Sequence, residues 1–137
     1  MMRPDSIAAV ATRLEESPAT PLSKHLSEFL DVFYESVDDR VAMLSEEPSA
    51  AIPRPLLAYL SATVEHLCSL NALPPPAWVS RPQYFLESAC YAETLGPKLE
   101  AILIAESPTS FRRRFIFTEV EPLRRKNGPR PGAAAVD

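Results

Sequence analysis

LSKHLSEFLDVFYESV, residues 22–37, decides the fold class. Leu22, Leu26, Phe29, Leu30, Phe33 and Val37 step by 4, 3, 1, 3 and 4, the spacing of one buried face on an α-helix. Glu28, Asp31 and Glu35 fall on the opposite side. Thr20-Pro21 reads as an N-cap followed by proline at the first helical position. Upstream, Ile7, Val10, Ala11 and Leu14 form a shorter stripe, so a first helix is predicted over about 6–16, ending before Pro18. Downstream, a turn from Asp38 to Leu44 is expected to bury Val41 and Leu44 before Glu46-Glu47-Pro48 stops it.

The same spacing returns after a linker over 48–54. With Pro55 in its first turn, a helix carries Leu56, Leu57, Leu60, Val64, Leu67 and Cys68 inward. Pro74-Pro75-Pro76 then imposes a stiff, extended connector, and Trp78 is expected to pack back onto the helices. A helix over 83–94 is predicted with Phe85, Leu86, Ala89 and Cys90 inward. Another follows Gly96-Pro97, with Leu95, Leu99, Ile102 and Leu103 buried. Ser107-Pro108 repeats the cap-plus-proline pattern ahead of Phe111. Residues 114–118 (RFIFT) are the sole strand candidate, with no evident partner, and Thr118 to Glu121 fits a capping box.

Composition agrees with this reading. The 137 residues are 46% hydrophobic and 23% charged, with 15 prolines and three glycines. Gly96 is the sole glycine before Gly128, so no phosphate-cradling loop of the Walker or dinucleotide-binding kind is built here. Tight Asn-Gly or Asp-Gly hairpins are missing as well, which argues against an all-β domain. The expectation is a compact all-α bundle of five or six short helices, one domain over 1–126, followed by a disordered basic tail over 127–137. No apolar run approaches the roughly 18 residues of a membrane span. Charged side chains interrupt the N-terminal stretch where a signal peptide would be apolar, so a cytoplasmic location is expected.

Charge is divided along the chain. Residues 1–107 carry seven basic and fifteen acidic side chains, net −8; residues 108–137 carry seven basic and three acidic, net +4. An acidic body with a basic end points to self-complementation or to two separate partners. Cys68 and Cys90 fall on predicted inward faces as small hydrophobes, and no paired spacing places them with His25 or His66 as a zinc set. His66, between Glu65 and Leu67, reads as a semi-exposed surface histidine, and the Asp38-Asp39 and Glu46-Glu47 pairs as solvated charges. No catalytic residues, metal or cofactor are predicted. The densest feature is Phe111-Arg112-Arg113-Arg114-Phe115-Ile116-Phe117. Three readings of it stand: the phenylalanines complete the core while the arginines neutralise the acidic body, the segment anchors a protein interface, or it binds nucleic acid by stacking and phosphate contact.

Four segments taken in order carry a resemblance: LSKHLSEFLDVFY over 22–34, LSEEP over 44–48, PAWV over 76–79 and LEAILIAESPTSFRRRFIF over 99–117. Together they resemble a group of small helical bacterial proteins with an "LxEFLDxFY" helix, an "LxxEP" turn, a "PxW" connector and a terminal "AxxxxxSPxxFRRRxIF" segment. Members of that group are often encoded beside nucleotidyltransferase-like toxin genes, and several carry an N-terminal helix-turn-helix. The resemblance spans roughly residues 22–120 and implies an antitoxin or operon partner. About twenty residues precede Leu22, so a DNA-reading helix-turn-helix is not expected here, and the implied role is partner binding without enzymatic activity. Gln83-Tyr84-Phe85 replaces an aromatic patch found in relatives after the tryptophan. The residues expected to hold a protein partner are Phe111, Arg112, Arg113, Arg114 and Phe115, with Trp78 as an aromatic anchor. The alternative is a small nucleic-acid-binding regulator using Arg112 to Arg114 and Arg124-Arg125-Lys126.

Overall fold

The computed structural model describes residues 3–91, 107–118 and 122–123. Among these residues the chain forms α1 (Ile7–Glu16), α2 (Leu22–Glu35), a 3-10 turn (Val37–Asp39), α3 (Arg40–Ser45) and α4 (Arg54–Leu70). Two further 3-10 turns (Ala77–Ser80 and Pro82–Tyr84) lead to β1 (Cys90–Tyr91); α5 (Thr109–Arg112) and β2 (Ile116–Phe117) complete the order. The architecture is an all-α bundle, with the two short strands paired in parallel at one edge, Cys90 opposite Ile116 and Tyr91 opposite Phe117.

Each helix boundary has a local cause. Ser6 caps α1: its hydroxyl oxygen accepts the Ala9 N–H at 3.2 Å and its O–H donates to the Arg3 carbonyl at 2.7 Å. The stripe Ile7, Val10, Ala11 and Leu14 is buried as its spacing requires. α2 begins one residue later than Thr20-Pro21 implied. Pro21 is itself the cap residue, and its carbonyl takes the Lys24 N–H at 3.1 Å. The helix also ends before Val37. Arg40 folds back to donate Nε to the Phe33 carbonyl (3.1 Å) and Nη2 to the Tyr34 carbonyl (2.9 Å), two of the groups a helix C-terminus leaves unpaired. Its guanidinium lies 5.1 Å from the Phe33 ring centroid. The chain turns there, so Val37 (68% exposed) and Val41 (54% exposed) face solvent, and Met43 with Leu44 fills the core in their place.

α4 is the centre of the bundle. Leu60, Ser61, Ala62, Thr63 and Val64 are all fully buried, so this turn and a half is covered on every side. It is covered by α1, by α5 and by the two 3-10 turns after the triple proline. Its C-terminus closes without glycine. Ala72 adopts a left-handed φ of 54°, the Leu73 N–H reaches the Cys68 carbonyl at 2.9 Å, and the Asn71 side chain donates to the Leu67 carbonyl at 2.7 Å. One core cluster runs from Ile7 to Leu123, and the Tyr34 hydroxyl donates to the Leu123 carbonyl at 3.0 Å.

The helix expected over 83–94 does not form in its described part. After the Pro82–Tyr84 turn the backbone is extended, and Arg54 Nη2 takes the Phe85 carbonyl at 2.6 Å, where a helix would have offered it an amide four residues on. Ala89 is accordingly exposed. The expected strand at 114–118 shortens to Ile116–Phe117 and finds its partner in Cys90–Tyr91. Ser107 does not cap α5. Its hydroxyl donates to the Thr118 carbonyl (3.1 Å) and accepts the Thr118 N–H (2.9 Å), clamping the two ends of the Arg-rich segment. The predicted helix after Gly96-Pro97, the capping box through Glu121 and the tail over 127–137 lie outside the described residues. No described helix is long and apolar enough to cross a membrane.

Candidate interaction site

The three consecutive arginines have three different fates. Arg114 is fully buried. Its planar fork is spent on the interior: Nε donates to Ser61 Oγ at 2.9 Å, Nη1 to the Ser110 carbonyl at 2.7 Å and Nη2 to the Val79 carbonyl at 2.7 Å. The Ser61 hydroxyl donates in turn to the same Val79 carbonyl at 3.1 Å. Glu65 Oε1 lies 2.8 Å from Nη1, so the buried guanidinium has a carboxylate directly beside it. The ring of Phe85 sits 4.6 Å from the guanidinium carbon and closes the cage. Burial pulls the Arg114 pKa below the usual guanidinium value, and Glu65 partly opposes that shift. The charge stays on, because guanidinium keeps its proton in proteins.

Arg113 is exposed, yet its Nη1 donates to Glu65 Oε2 at 2.7 Å and its guanidinium carbon stands 5.6 Å from the Phe85 ring. Glu65 therefore serves two arginines, one inside and one outside. Arg112 is exposed and has no ion partner among the described residues. Phe111 is fully buried, edge-on to Tyr59 at 5.0 Å and to His66 at 5.8 Å. His66 is half-buried, and that burial lowers its pKa from the ordinary 6.5, with Glu65 acting the other way. Phe115 is 47% exposed on a left-handed backbone with φ of 60°. An aromatic residue in that region carries backbone strain, and here the strain turns its ring outward between the segment's core-facing residues.

Trp78 does not stand on the surface as an anchor. It is 4% exposed, its indole N–H donates to the Leu44 carbonyl at 3.2 Å, and its ring meets Tyr84 edge-on at 5.2 Å. The six residues expected to meet a partner therefore divide. Phe111, Arg114 and Trp78 are core and cannot touch a partner without unfolding; Arg112, Arg113 and Phe115 form the accessible outer edge.

Several working residues carried no signal of their own in the sequence. Glu47, expected with Glu46 as a solvated charge, is instead half-buried: it accepts from the Tyr84 hydroxyl at 2.6 Å and pairs with Arg81, and burial, aided by that hydrogen bond, pushes the Tyr84 pKa up. Ser61 and Glu65, spaced by four on an otherwise apolar helix face, are the nearest thing to a sequence clue for the Arg114 cage. The stretches 44–47, 78–84 and 110–114 thus lock onto one another: Leu44 to Trp78, Glu47 to Tyr84, Val79 to Arg114. They build the scaffold that holds Arg112 and Phe115 in place.

Val41 and Leu44 of α3, Cys68 of α4 and the 73–76 connector line an open apolar groove of about 260 Å³. Among the described residues no three His, Cys, Asp or Glu side chains come together as a metal set. Compared with family models, with curated proteins and with solved structures, the chain matches none.

Proposed function

We propose that the chain is a non-enzymatic, cytoplasmic protein-binding module, an antitoxin-like partner of a nucleotidyltransferase-type protein encoded by a neighbouring gene. The observation that supports this reading best is the outer edge of the Arg-rich turn. A half-exposed phenylalanine, Phe115, is held outward on a strained backbone and flanked by the exposed Arg112 and Arg113. Aromatic and arginine side chains are the types that concentrate binding energy at protein interfaces. Opposite charge is available too: Glu28, Asp31 and Glu35 are exposed along one side of α2. An acidic helix face of this kind covers a basic groove on a partner that handles nucleotides or RNA, competing with its anionic substrate and steering the encounter.

The reading as a nucleic-acid regulator draws less support. Phosphate binding needs clustered free cations, whereas Arg114 is buried and Arg113 is engaged by Glu65; Arg124, Arg125 and Lys126 lie outside the described residues. Co-expression with the neighbouring gene product, followed by native mass spectrometry, tests the proposal. A stoichiometric complex is expected, lost in the Arg112→Glu/Phe115→Asn double variant. Failure to form any complex, or a complex indifferent to that variant, removes the reading. Binding to RNA or DNA that weakens linearly in log salt selects the alternative instead.

A further inference from the structure

We propose that the apolar groove between α3 and the triple-proline connector receives Phe115 of a second copy of this chain. The groove's walls dictate what it accepts. Pro74, Pro75 and Pro76 have no N–H, so they cannot pair with an added strand. The polar side-chain groups on the walls already have backbone partners. The Ser45 hydroxyl donates to the Val41 carbonyl at 2.5 Å, and the Cys68 thiol points to the Pro74 carbonyl at 3.9 Å. What remains is a hollow of about 260 Å³ fit for an apolar side chain. A dry cavity of ~150 Å³ already holds a benzene ring. A phenyl group therefore fits this open groove with room for its approach.

Charge points to the same occupant. Asp38, one turn before Val41, and Glu46, directly after Ser45, are both exposed at the ends of the α3 wall. Exposed carboxylates next to one wall of an apolar hollow favour an apolar group flanked by cations. Among the described residues the large exposed hydrophobics are Val32, Val37, Val41, Leu70 and Phe115. Val41 belongs to the groove itself, and Val37 lies four residues before it. Phe115 alone is aromatic, and it alone has two exposed arginines within three residues. Knob and hollow lie on different elements, so one copy offers each to another, and the acidic body and basic end meet between chains.

The inference rests on reading Phe115 as a docking residue, but it has its own test. Light scattering or sedimentation over a wide concentration range should show the wild-type mass rising above that of one chain. Phe115→Asn removes the ring and keeps a residue at ease with left-handed backbone. Val41→Asp places a charge at a half-exposed wall position and leaves the core alone. A two-fold dimer makes the contact twice, so each variant alone should weaken self-association by roughly a hundredfold to ten-thousandfold, the worth of burying two phenyl groups. Mixed, they should form a dimer of one of each, because one supplies an intact groove and the other an intact ring.

A wild-type chain that stays monomeric at several hundred micromolar overturns the proposal and leaves the groove to a segment of another protein. So does association that survives both variants, or a mixture that fails to complement. Self-association without a neighbouring-gene complex, or the reverse, shows which of the two readings has failed.

Discussion

Replacing Arg114 with methionine takes one charged fork out of the centre of the bundle and leaves its cage behind. The loss can be worked through bond by bond. The Val79 carbonyl keeps the Ser61 hydroxyl at 3.1 Å and Glu65 Oε2 keeps Arg113 at 2.7 Å, but the buried Glu65 Oε1 loses the Arg114 cation that stood 2.8 Å away. The Ser110 carbonyl, 2.7 Å from Nη1, loses the arginine side chain that satisfies it. A buried acceptor stripped of its donor costs about 1–3 kcal/mol. Loss of the desolvated cation over Phe85 adds about 1–2 kcal/mol. The sum, about 2–5 kcal/mol with a middle value of about 3.5, overlaps the roughly 3–5 kcal/mol seen when one partner of a buried charge pair is removed.

Urea unfolding reads this directly, because the sole tryptophan, Trp78, is buried and reports on the same core. With a slope of about 1.5 kcal/mol/M, the midpoint should fall by about 2 M. Arg114→Lys should recover little, since an ammonium cannot span Ser61, Ser110 and Val79 at once. Arg112→Met, at an exposed position, should stay within about 0.5 kcal/mol of wild type. An Arg114→Met protein within 1 kcal/mol of wild type, or no worse than Arg112→Met, would refute the buried-anchor account.

Trp78→Phe keeps an aromatic ring in place but strips the N–H from the Leu44 carbonyl, and thermal unfolding should show a loss of about 1–2 kcal/mol. His66 has a lowered folded-state pKa, so its contribution is complete above pH 6.5 and is lost as pH falls through the folded value. Stability measured from pH 7 down to 5.5 should therefore decline, and His66→Phe should flatten that decline; an unchanged slope would locate the proton elsewhere. The Cys68 thiol is pushed up to about 11 by burial, so at pH 8 roughly one molecule in a thousand carries the thiolate. Timed alkylation followed by peptide mass analysis should find Cys68 modified far more slowly than a free thiol under the same conditions.

Much of the scaffold was legible because its elements obey one rule each. The stripes on α1, α2 and α4 follow the helical period, and proline or a cap marks where they start. What the sequence concealed lies wherever a distant side chain competes for backbone groups. Phe85, Leu86 and Ala89 have spacing compatible with a helix, yet Arg54 claims the Phe85 carbonyl from 31 residues away. Val37 continues the α2 stripe perfectly well on paper, but Arg40 ends the helix two residues earlier by taking its last carbonyls. In the Arg-rich turn the limit is sharper. Three identical neighbours in sequence become an interior strut, a half-engaged surface pair and an exposed charge, because the four-residue helix ends at Arg112 and successive side chains of the turn that follows point different ways. Nothing local to Arg112, Arg113 and Arg114 distinguishes them; Ser61, Glu65 and Val79, far away in the chain, do.

The Ser107–Thr118 clamp has a consequence for how the outer edge behaves in an encounter. With its two ends tied to each other and its middle pinned by Arg114, the segment bearing Arg112 and Phe115 has surrendered its conformational freedom during folding. Ordering a loose loop at the moment of contact costs about 0.5–1.5 kcal/mol for each rotamer-rich side chain immobilised. Here most of that cost falls on the folding equilibrium, so a collision in the right orientation can be productive without a search by the loop. Cutting the clamp with Ser107→Ala would shift the cost back onto binding, seen as slower association with little change in the contacts finally made.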